Sequence, residues 1–384
     1  MGQFSLTMPF GRKSAAAWHP TVGLEEEFFI CRADDRSAVV PLDGDFLAKL
    51  RDAIRTRYPP RSKRAFHNVQ PEAFACQVEL ASGVHGEIEC VIADFLAMRG
   101  ALQQAFLDRG LDILPLGTHP DADWADAGPP HAGRMPYLLS FAGQRMLTCG
   151  FHVHVGMPGA RHRFAFFQFV RPFLPLLLAL GSASPQWRRL TAGSRNCRIS
   201  VFGAVRHGGV PPLMDAREFD SFRQSIRKAP VIQNEIDQPS WFVRPSIYWP
   251  TVEVRVMDAN PDVERNLDIA ALIQALAAFS RRRIRIAGRP ARRRPASGLW
   301  PWARLPFVTV REPEWLITDN IWRVEKDGME AGLLFCRDGR ASPRIGVVPV
   351  AEFGARWLER LRGDFAALGT IERHRRLLQA LGSA

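Results

Sequence analysis

A chain of 384 residues, 46% hydrophobic and 10% aromatic, can bury a large core, and its length fits one big domain or two ordinary ones. Its six cysteines, Cys31, Cys76, Cys90, Cys149, Cys197 and Cys336, show no CxxC or other metal-type spacing, which argues against a disulfide framework or zinc knuckle and makes a reducing cytoplasm the expected compartment. The formal charge of +12 admits nucleic acid, an acidic membrane surface or anionic small substrates as partners.

Residues 1–17 read as an N-terminal extension without the sustained apolar run of a secretory signal, and 18–384 as a single domain. The first strand signal, VGLEEEFF at 22–29, sets three carboxylates among apolar residues. Alternation places Glu25 and Glu27 on one face and Leu24 and Phe28 on the other, which leaves Glu26 as a charge on the apolar side. In FACQVEL at 74–80, Gln77 and Glu79 share a face. Glu72 precedes Glu79 by an odd number of residues, so a bend after Pro71-Glu72 is required for both to converge.

Residues 87–109 carry apolar side chains at helical spacing, Val91, Phe95, Leu102 and Phe106 among them, and Gly110 stops the pattern. Stretches rich in Gly or Pro at 121–136, 207–212 and 288–301 read as loops. In CGFHVHVGM at 149–157, Phe151, Val153 and Val155 point one way, and His152 and His154 the other. The apolar run at 164–183 is interrupted by Arg171, Pro172 and Pro175. That predicts a buried helix pair and not a membrane span, which needs about 20 unbroken apolar residues. In TVEVRVMD at 251–258, Val252, Val254 and Val256 alternate with Thr251, Glu253, Arg255 and Met257. Helices are expected over 263–284 and over 351–381, the latter with breaks at Gly363 and Gly369. The order lacks βαβ regularity, so the fold class is α+β with an antiparallel sheet.

Arg281 to Arg294 contains eight arginines without an aromatic ring that could stack on bases. It reads as a solvated helix end and basic loop, so nucleic acid is not the expected partner.

Each acidic or imidazole pair has an ordinary explanation taken alone: a wet strand face, satisfied polar surface, a same-face salt bridge. Their coincidence on strands with one apolar face points further. If these strands are neighbours, Glu25, Glu27, Glu72, Glu79, Glu253, His152 and His154 share one surface. Like charges ~4 Å apart repel by about 4 kcal/mol per pair at an effective dielectric near 20. Divalent cations resolve that conflict, and oxygen ligands with an occasional imidazole favour Mg²⁺ or Mn²⁺ over zinc.

The stretches VGLEEEFFI at 22–30, QVEL at 77–80, GTHP at 117–120, CGFHVHVGM at 149–157, LPLLLALGSASPQW at 174–187, VRPSIYWPTVEVRVMDA at 243–259 and DNIWRVEKDGMEAGLL at 319–334 carry a resemblance that spans nearly the whole chain. In them the sequence resembles the carboxylate–amine ligase family, also called glutamate–cysteine ligase type 2. The resemblance implies a glutamine-synthetase-like catalytic domain over 18–384, in which an antiparallel curved sheet carries the active site and helices pack on its outer face.

The same resemblance implies a reaction in which ATP phosphorylates a carboxylate and an amine displaces phosphate from the acyl phosphate. The carboxylate is expected on glutamate or a related amino acid, with weak glutamate–cysteine ligase-like activity. Two or more Mg²⁺ or Mn²⁺ ions are implied, one held by Glu25, His152 and Glu253 and a second by Glu27, Glu72 and Glu79. His154, Arg255 and Arg323 are implied as contacts of the nucleotide, and Arg255, with Arg198, as stabilising the transferring phosphoryl group. No membrane partner is expected, and a homo-oligomer is left open. The chain departs from the family pattern at 188–197, RRLTAGSRNC, and at 324–327, VEKD, so a glutamate and cysteine pair does not follow automatically. The competing readings are a guanidino-type phosphotransferase and a non-catalytic polyanion- or partner-binding protein that uses Arg281 to Arg294.

Overall fold

The computed structural model describes residues 19–57, 68–128, 145–191, 193–204, 208–228, 239–286, 304–305, 308–309, 313–336 and 345–382. The extension at 1–17, the loop at 288–301 and most of the Arg281 to Arg294 run lie outside the described residues.

In chain order the elements are β1 (Thr21–Arg32), α1 (Gly44–Arg57), β2 (Asn68–Pro71), β3 (Gln77–Ala81), α2 (Ile88–Leu107), β4 (Leu111–Leu114), β5 (Gly150–Gly156), α3 (Ala160–Val170), α4 (Leu174–Gly181), β6 (Gln186–Trp187), β7 (Leu190–Thr191), α5 (Cys197–Gly203) and α6 (Ala216–Lys228). After them come β8 (Val243–Pro245), β9 (Thr251–Asp258), α7 (Val263–Ile286), β10 (Arg304–Leu305), β11 (Val308–Thr309), α8 (Glu314–Asp327), β12 (Gly332–Cys336), β13 (Ile345–Pro349), α9 (Val350–Ala367) and α10 (Ile371–Gly382). Seven strands form the main sheet in the order β2-β3-β1-β5-β9-β8, and β4 also pairs with β1. Each of its ladders is antiparallel. The fold class expected from the pattern of elements is therefore the one observed.

One face of this sheet is apolar for the reason visible in the alternation. Val22, Leu24 and Phe28 of β1, Phe151, Val153 and Val155 of β5, and Val252, Val254 and Val256 of β9 join one buried core with Val91, Phe95 and Phe106 of α2 and Leu267, Ile273 and Leu276 of α7. Full burial of each such side chain contributes roughly 1.5 to 3 kcal/mol, enough to fix which face of every strand turns inward. Glu26, the charge on the apolar side, is fully buried there, and Arg99 of α2 stands 3.2 Å from its Oε2. Burial pushes the Glu26 carboxyl up to about 7 against the pull of Arg99.

Two expectations need correction. Alternation puts Met257 on the polar face of β9, but it belongs to the apolar core. The β5–β9 ladder slips between Phe151 and Val153, where β9 carries one extra residue, and this bulge turns Val256 and Met257 both inward. Gly363 does not interrupt the last helical region, because α9 runs through it to Ala367. A helix-interior glycine costs about 1 kcal/mol, less than the burial of Phe353, Trp357, Leu358, Leu361 and Phe365 on the same helix returns. Gly369 does break it, with φ of 72°.

The apolar run at 164–183 forms α3, a single 3-10 turn over Arg171–Phe173, and α4. Of its most apolar window 89% is buried inside the fold, and among the described residues the other helix of sufficient length and hydropathy, α2, packs on the sheet.

Candidate active site

Register brings the polar side chains of the sheet together. Glu25 lies opposite His152, Glu27 opposite Glu79, and His154 opposite Glu253. His152 Nδ1 stands 3.5 Å from Glu25 Oε2 and 4.0 Å from Glu253 Oε1, while its Nε2 stands 3.7 Å from Glu27 Oε1. Two groups result, Glu25 with His152 and Glu253, and Glu27 with Glu79 and His152, each with ligand atoms within 4.8 Å of one another. The distant segments of the sequence thus meet on one surface.

Glu72 follows β2, whose hairpin with β3 supplies the bend that its spacing required. It is close enough to Glu27 and Glu79 to raise both, yet it is in neither three-residue group. Gln77, on the same face as Glu79, serves as a strut: its Nε2 donates to the Thr148 carbonyl at 2.8 Å and its Oε1 accepts from Phe74 N at 3.2 Å. His154 Nε2 lies 3.2 Å from Glu25 Oε1 and 3.9 Å from Glu253 Oε2, with Nδ1 3.0 Å from Thr251 Oγ1.

Exposure divides the cluster into a floor and a mouth. The His152 and Glu253 side chains are each 1% exposed, whereas Glu25 is 23%, Arg244 and Arg255 13%, and His154 12% exposed. Arg255 Nη1 donates to Glu253 Oε1 and sits 3.3 Å from His152 Nδ1. Arg244 of β8, directly opposite Glu253 in the ladder, holds the same carboxylate by two bonds, Nε to Oε2 at 2.6 Å and Nη2 to Oε1 at 3.0 Å. Nothing in the sequence singled Arg244 out, because its relation to Glu253 depends on a strand pairing that spacing does not reveal.

The electrostatics of the two groups differ. Burial, reinforced by Arg255, pushes the His152 imidazole down to about 3, so it is neutral. A neutral imidazole has one lone pair, so His152 can ligate in one group while its N–H faces the carboxylates of the other. Burial, then Glu72, pushes Glu27 up to about 7, and burial with Glu25, Glu72 and Glu27 holds Glu79 well above the carboxylate range. At the other end burial would raise Glu253 too, but Arg244 and Arg255 outweigh it and hold the group far below its ordinary value. His154 and His152 do the same for Glu25 against its burial. The Glu27 and Glu79 end is therefore short of positive charge. Carboxylate oxygens with one neutral imidazole suit a hard divalent cation, and the buried His152 Nε2 makes no hydrogen bond in the structure.

Arg198 supports this arrangement from beneath. It is 1% exposed, and both Nη atoms donate to the Arg255 carbonyl at 3.2 Å. Its guanidinium and that of Arg255 lie 5.2 and 5.6 Å from the centre of the Phe202 ring. Gly150 permits this approach: a Cβ there would stand 2.2 Å from Arg198 Nη2 and 2.7 Å from His152 Nε2. The Gly150 N–H donates to Glu27 Oε2 at 2.6 Å. From this position Arg198 is a buried counter-charge, not a group at the mouth. Arg323 has its Nε bonded to Asp319 Oδ2 at 2.6 Å within α8. Of the basic run, Arg282 pairs with Asp364 at 2.6 Å and ties α7 to α9.

The two segments that depart from the family pattern touch each other. Arg195 N and Ser194 Oγ donate to the Glu325 carbonyl at 2.7 and 3.0 Å, and Ser200 Oγ donates to the Glu325 carboxylate. Their changes in sequence therefore belong to one wall.

Residues 21–294 match the profile of the glutamate-cysteine ligase family 2 (GCS2). A protein from Jannaschia sp. (strain CCS1) named "Putative glutamate--cysteine ligase 2" is 30% identical over 366 residues, 94% of this chain and 86% of the relative. The chain belongs to glutamate–cysteine ligase family 2. It is thereby an ATP-dependent ligase that forms C–N bonds. A relative of the same name from Pseudomonas aeruginosa (strain UCBPP-PA14) is 34% identical over 260 residues, 66% of this chain and 61% of the relative.

Two solved structures show the family fold at greater sequence distance. A glutamate–cysteine ligase from Francisella tularensis in complex with AMP superposes with a TM-score of 0.63 at 11% identity, over 94% of this chain and 82% of that one. A bifunctional glutathione synthetase from Pasteurella multocida gives 0.60 at 14% identity, over 95% and 48%. The glutamine-synthetase-like architecture expected for family 2 is thus the observed one.

Proposed function

We propose that this ligase joins the side-chain or main-chain carboxylate of an amino acid, glutamate or a near relative, to an amine through an acyl phosphate. The observation that carries this reading is the convergence of Glu25, His152, Glu253, Glu27 and Glu79 beneath Arg255 in a chain of this family. ATP, the amino acid and the amine are its substrates, and the cytoplasm is the setting in which they meet.

Phosphoryl transfer asks for positioning and charge neutralisation more than for a protein nucleophile. The substrate carboxylate oxygen attacks the γ-phosphorus, and the bond from that phosphorus to the ADP oxygen breaks. The amine nitrogen then attacks the acyl carbon, phosphate leaves with its bonding pair, and the ammonium loses a proton to give the amide. Glu25, Glu253 and His152 would hold one Mg²⁺ or Mn²⁺, and Glu27 and Glu79, with Glu72 beside them, another. Bound there, such cations neutralise phosphate oxygens that would otherwise repel the attacking carboxylate. Arg255 reaches the mouth, where its planar guanidinium can meet two phosphate oxygens at once. His154, also at the mouth, positions Glu25 and lies where a nucleotide phosphate would enter.

The test is turnover. With ATP, Mg²⁺ and a panel of amino acids and amines, the protein is expected to release ADP and phosphate only when a productive pair is present; absence of both turnover and magnesium-dependent nucleotide binding would refute the ligase reading. Glu253→Gln is expected to abolish turnover in a protein that still folds, and retained activity would remove Glu253 from the ligand set.

A further inference from the structure

We propose that Arg244 is a further catalytic residue, the second half of a two-guanidinium clamp on the transferring phosphoryl group. The inference rests on the ligase reading above. Arg244 and Arg255 approach Glu253 from two strands, and both bond to its Oε1. Each is 13% exposed, so both guanidiniums stand at the mouth, while the carboxylate between them is at the floor.

Arg244 is fixed from a third side as well. Its Nη1 donates to the Pro239 carbonyl at 2.9 Å, while its Nε and Nη2 bond to Glu253. Two guanidiniums this close repel each other, and one carboxylate holds them together. Glu253 is also a member of the Glu25, His152 and Glu253 group that suits a divalent cation. If a cation were held by the Glu253 oxygens, Arg244 and Arg255 would lose part of the negative charge that now faces them. The anion then present at the mouth is the phosphate chain of the nucleotide, and its oxygens match the planar fork of each guanidinium. Glu253 is thus the resting partner of Arg244 and Arg255, and the phosphoryl oxygens are the working one.

The same geometry separates this role from that of a strut. A strut for Glu253 would affect cation binding alone. A clamp would also tighten on the trigonal or octahedral phosphoryl mimic that aluminium fluoride forms on bound ADP.

The experiment uses the full chain with Arg244→Gln and Arg244→Lys, and calorimetry with Mg²⁺ and ADP, with and without aluminium fluoride, alongside Mn²⁺ titration in the absence of nucleotide. The wild type is expected to bind ADP more tightly when fluoride is present. Arg244→Gln is expected to lose about a hundred-fold of that tightening while its affinity for Mg²⁺ and ADP alone changes little and Mn²⁺ binds at least as well. Arg244→Lys keeps the charge and most of the stem but not the fork, so it is expected to lose most of the tightening too. It carries the test if the glutamine variant fails to fold. Variants that tighten as the wild type does overturn the clamp and leave Arg244 a strut. A wild type that binds no magnesium and ADP overturns the ligase reading and the clamp together.

Discussion

At the scale of single residues, Glu27 and Glu79 carry the sharpest consequence. Burial and neighbouring carboxylates raise both, Glu27 from 4.5 to about 7. A carboxyl raised on folding contributes its stability below its unfolded value and loses it as pH climbs through its folded one. The cation-free protein is therefore expected to melt at a higher temperature at about pH 5.5 than at about pH 8: Glu27 alone loses about 2 kcal/mol across that window and Glu26, also raised to about 7, loses as much, against a gain of about 1 kcal/mol from His152, which is neutral when folded but takes up a proton below pH 6.5 when unfolded. Glu25 and Glu253 are held low, so their effect falls below this range. Saturating Mn²⁺ is expected to narrow the gap and to bind with release of protons, measurable by calorimetry in two buffers of different ionisation enthalpy. A gap that Mn²⁺ leaves unchanged would detach these carboxyls from cation binding. The meeting of these side chains was legible in part, since alternation placed Glu25 with Glu27, Gln77 with Glu79 and His152 with His154 on shared strand faces, while Glu72 needed a bend. Their unequal electrostatics were not, because Arg244 and Arg198 enter from elements with no fixed spacing to β1 or β5.

At the scale of elements, Asp258 shows how the end of β9 governs the segment before α5. Its buried Oδ2 accepts from Ala183 N at 2.8 Å, Ser184 Oγ at 2.7 Å and Asn196 Nδ2 at 2.9 Å, and Arg198 Nη1 lies 3.9 Å from Oδ1. Asn196 in turn caps α5 by accepting from Ile199 N at 2.9 Å. Asp258→Ala strips three donors and a buried guanidinium of their acceptor, and is expected to cost about 3 to 5 kcal/mol in urea unfolding. Asn196→Ala, which removes the cap, is expected to cost about 1 kcal/mol plus part of the Asp258 contact. If Asp258→Ala proved no worse than a surface change, the hub would be refuted. The strands and helices themselves were readable because periodicity and glycine punctuation agree with burial. What escaped was the β9 bulge that turns Met257 inward, since one extra residue in a ladder is a property of two strands together and neither strand announces it.

At the scale of the whole molecule, the C-terminal helices α9 and α10 pack on α7. Arg373 of α10 is 8% exposed and reaches three acidic side chains on two other helices: Glu89 of α2 at 2.7 and 2.9 Å, and Glu264 and Asp268 of α7 at 3.3 and 2.9 Å. Arg376 also holds Asp268, so the contact is shared. Arg373→Met is expected to lower stability by about 1 to 3 kcal/mol, and Arg373→Met with Arg376→Met by more than the sum of the two, since Asp268 is then stranded; additive losses would show that the two arginines act independently.

The layout of β1 has its own consequence. A single continuous strand presents Glu25 to one trio of ligand atoms and Glu27 to the other, while Leu24 and Phe28 lock its reverse side into the interior. Both candidate cation-binding groups are in effect mounted on one rail, so a shift of that rail would carry them together and preserve the spacing between Glu25 and Glu27 even where their distance to a bound nucleotide changed.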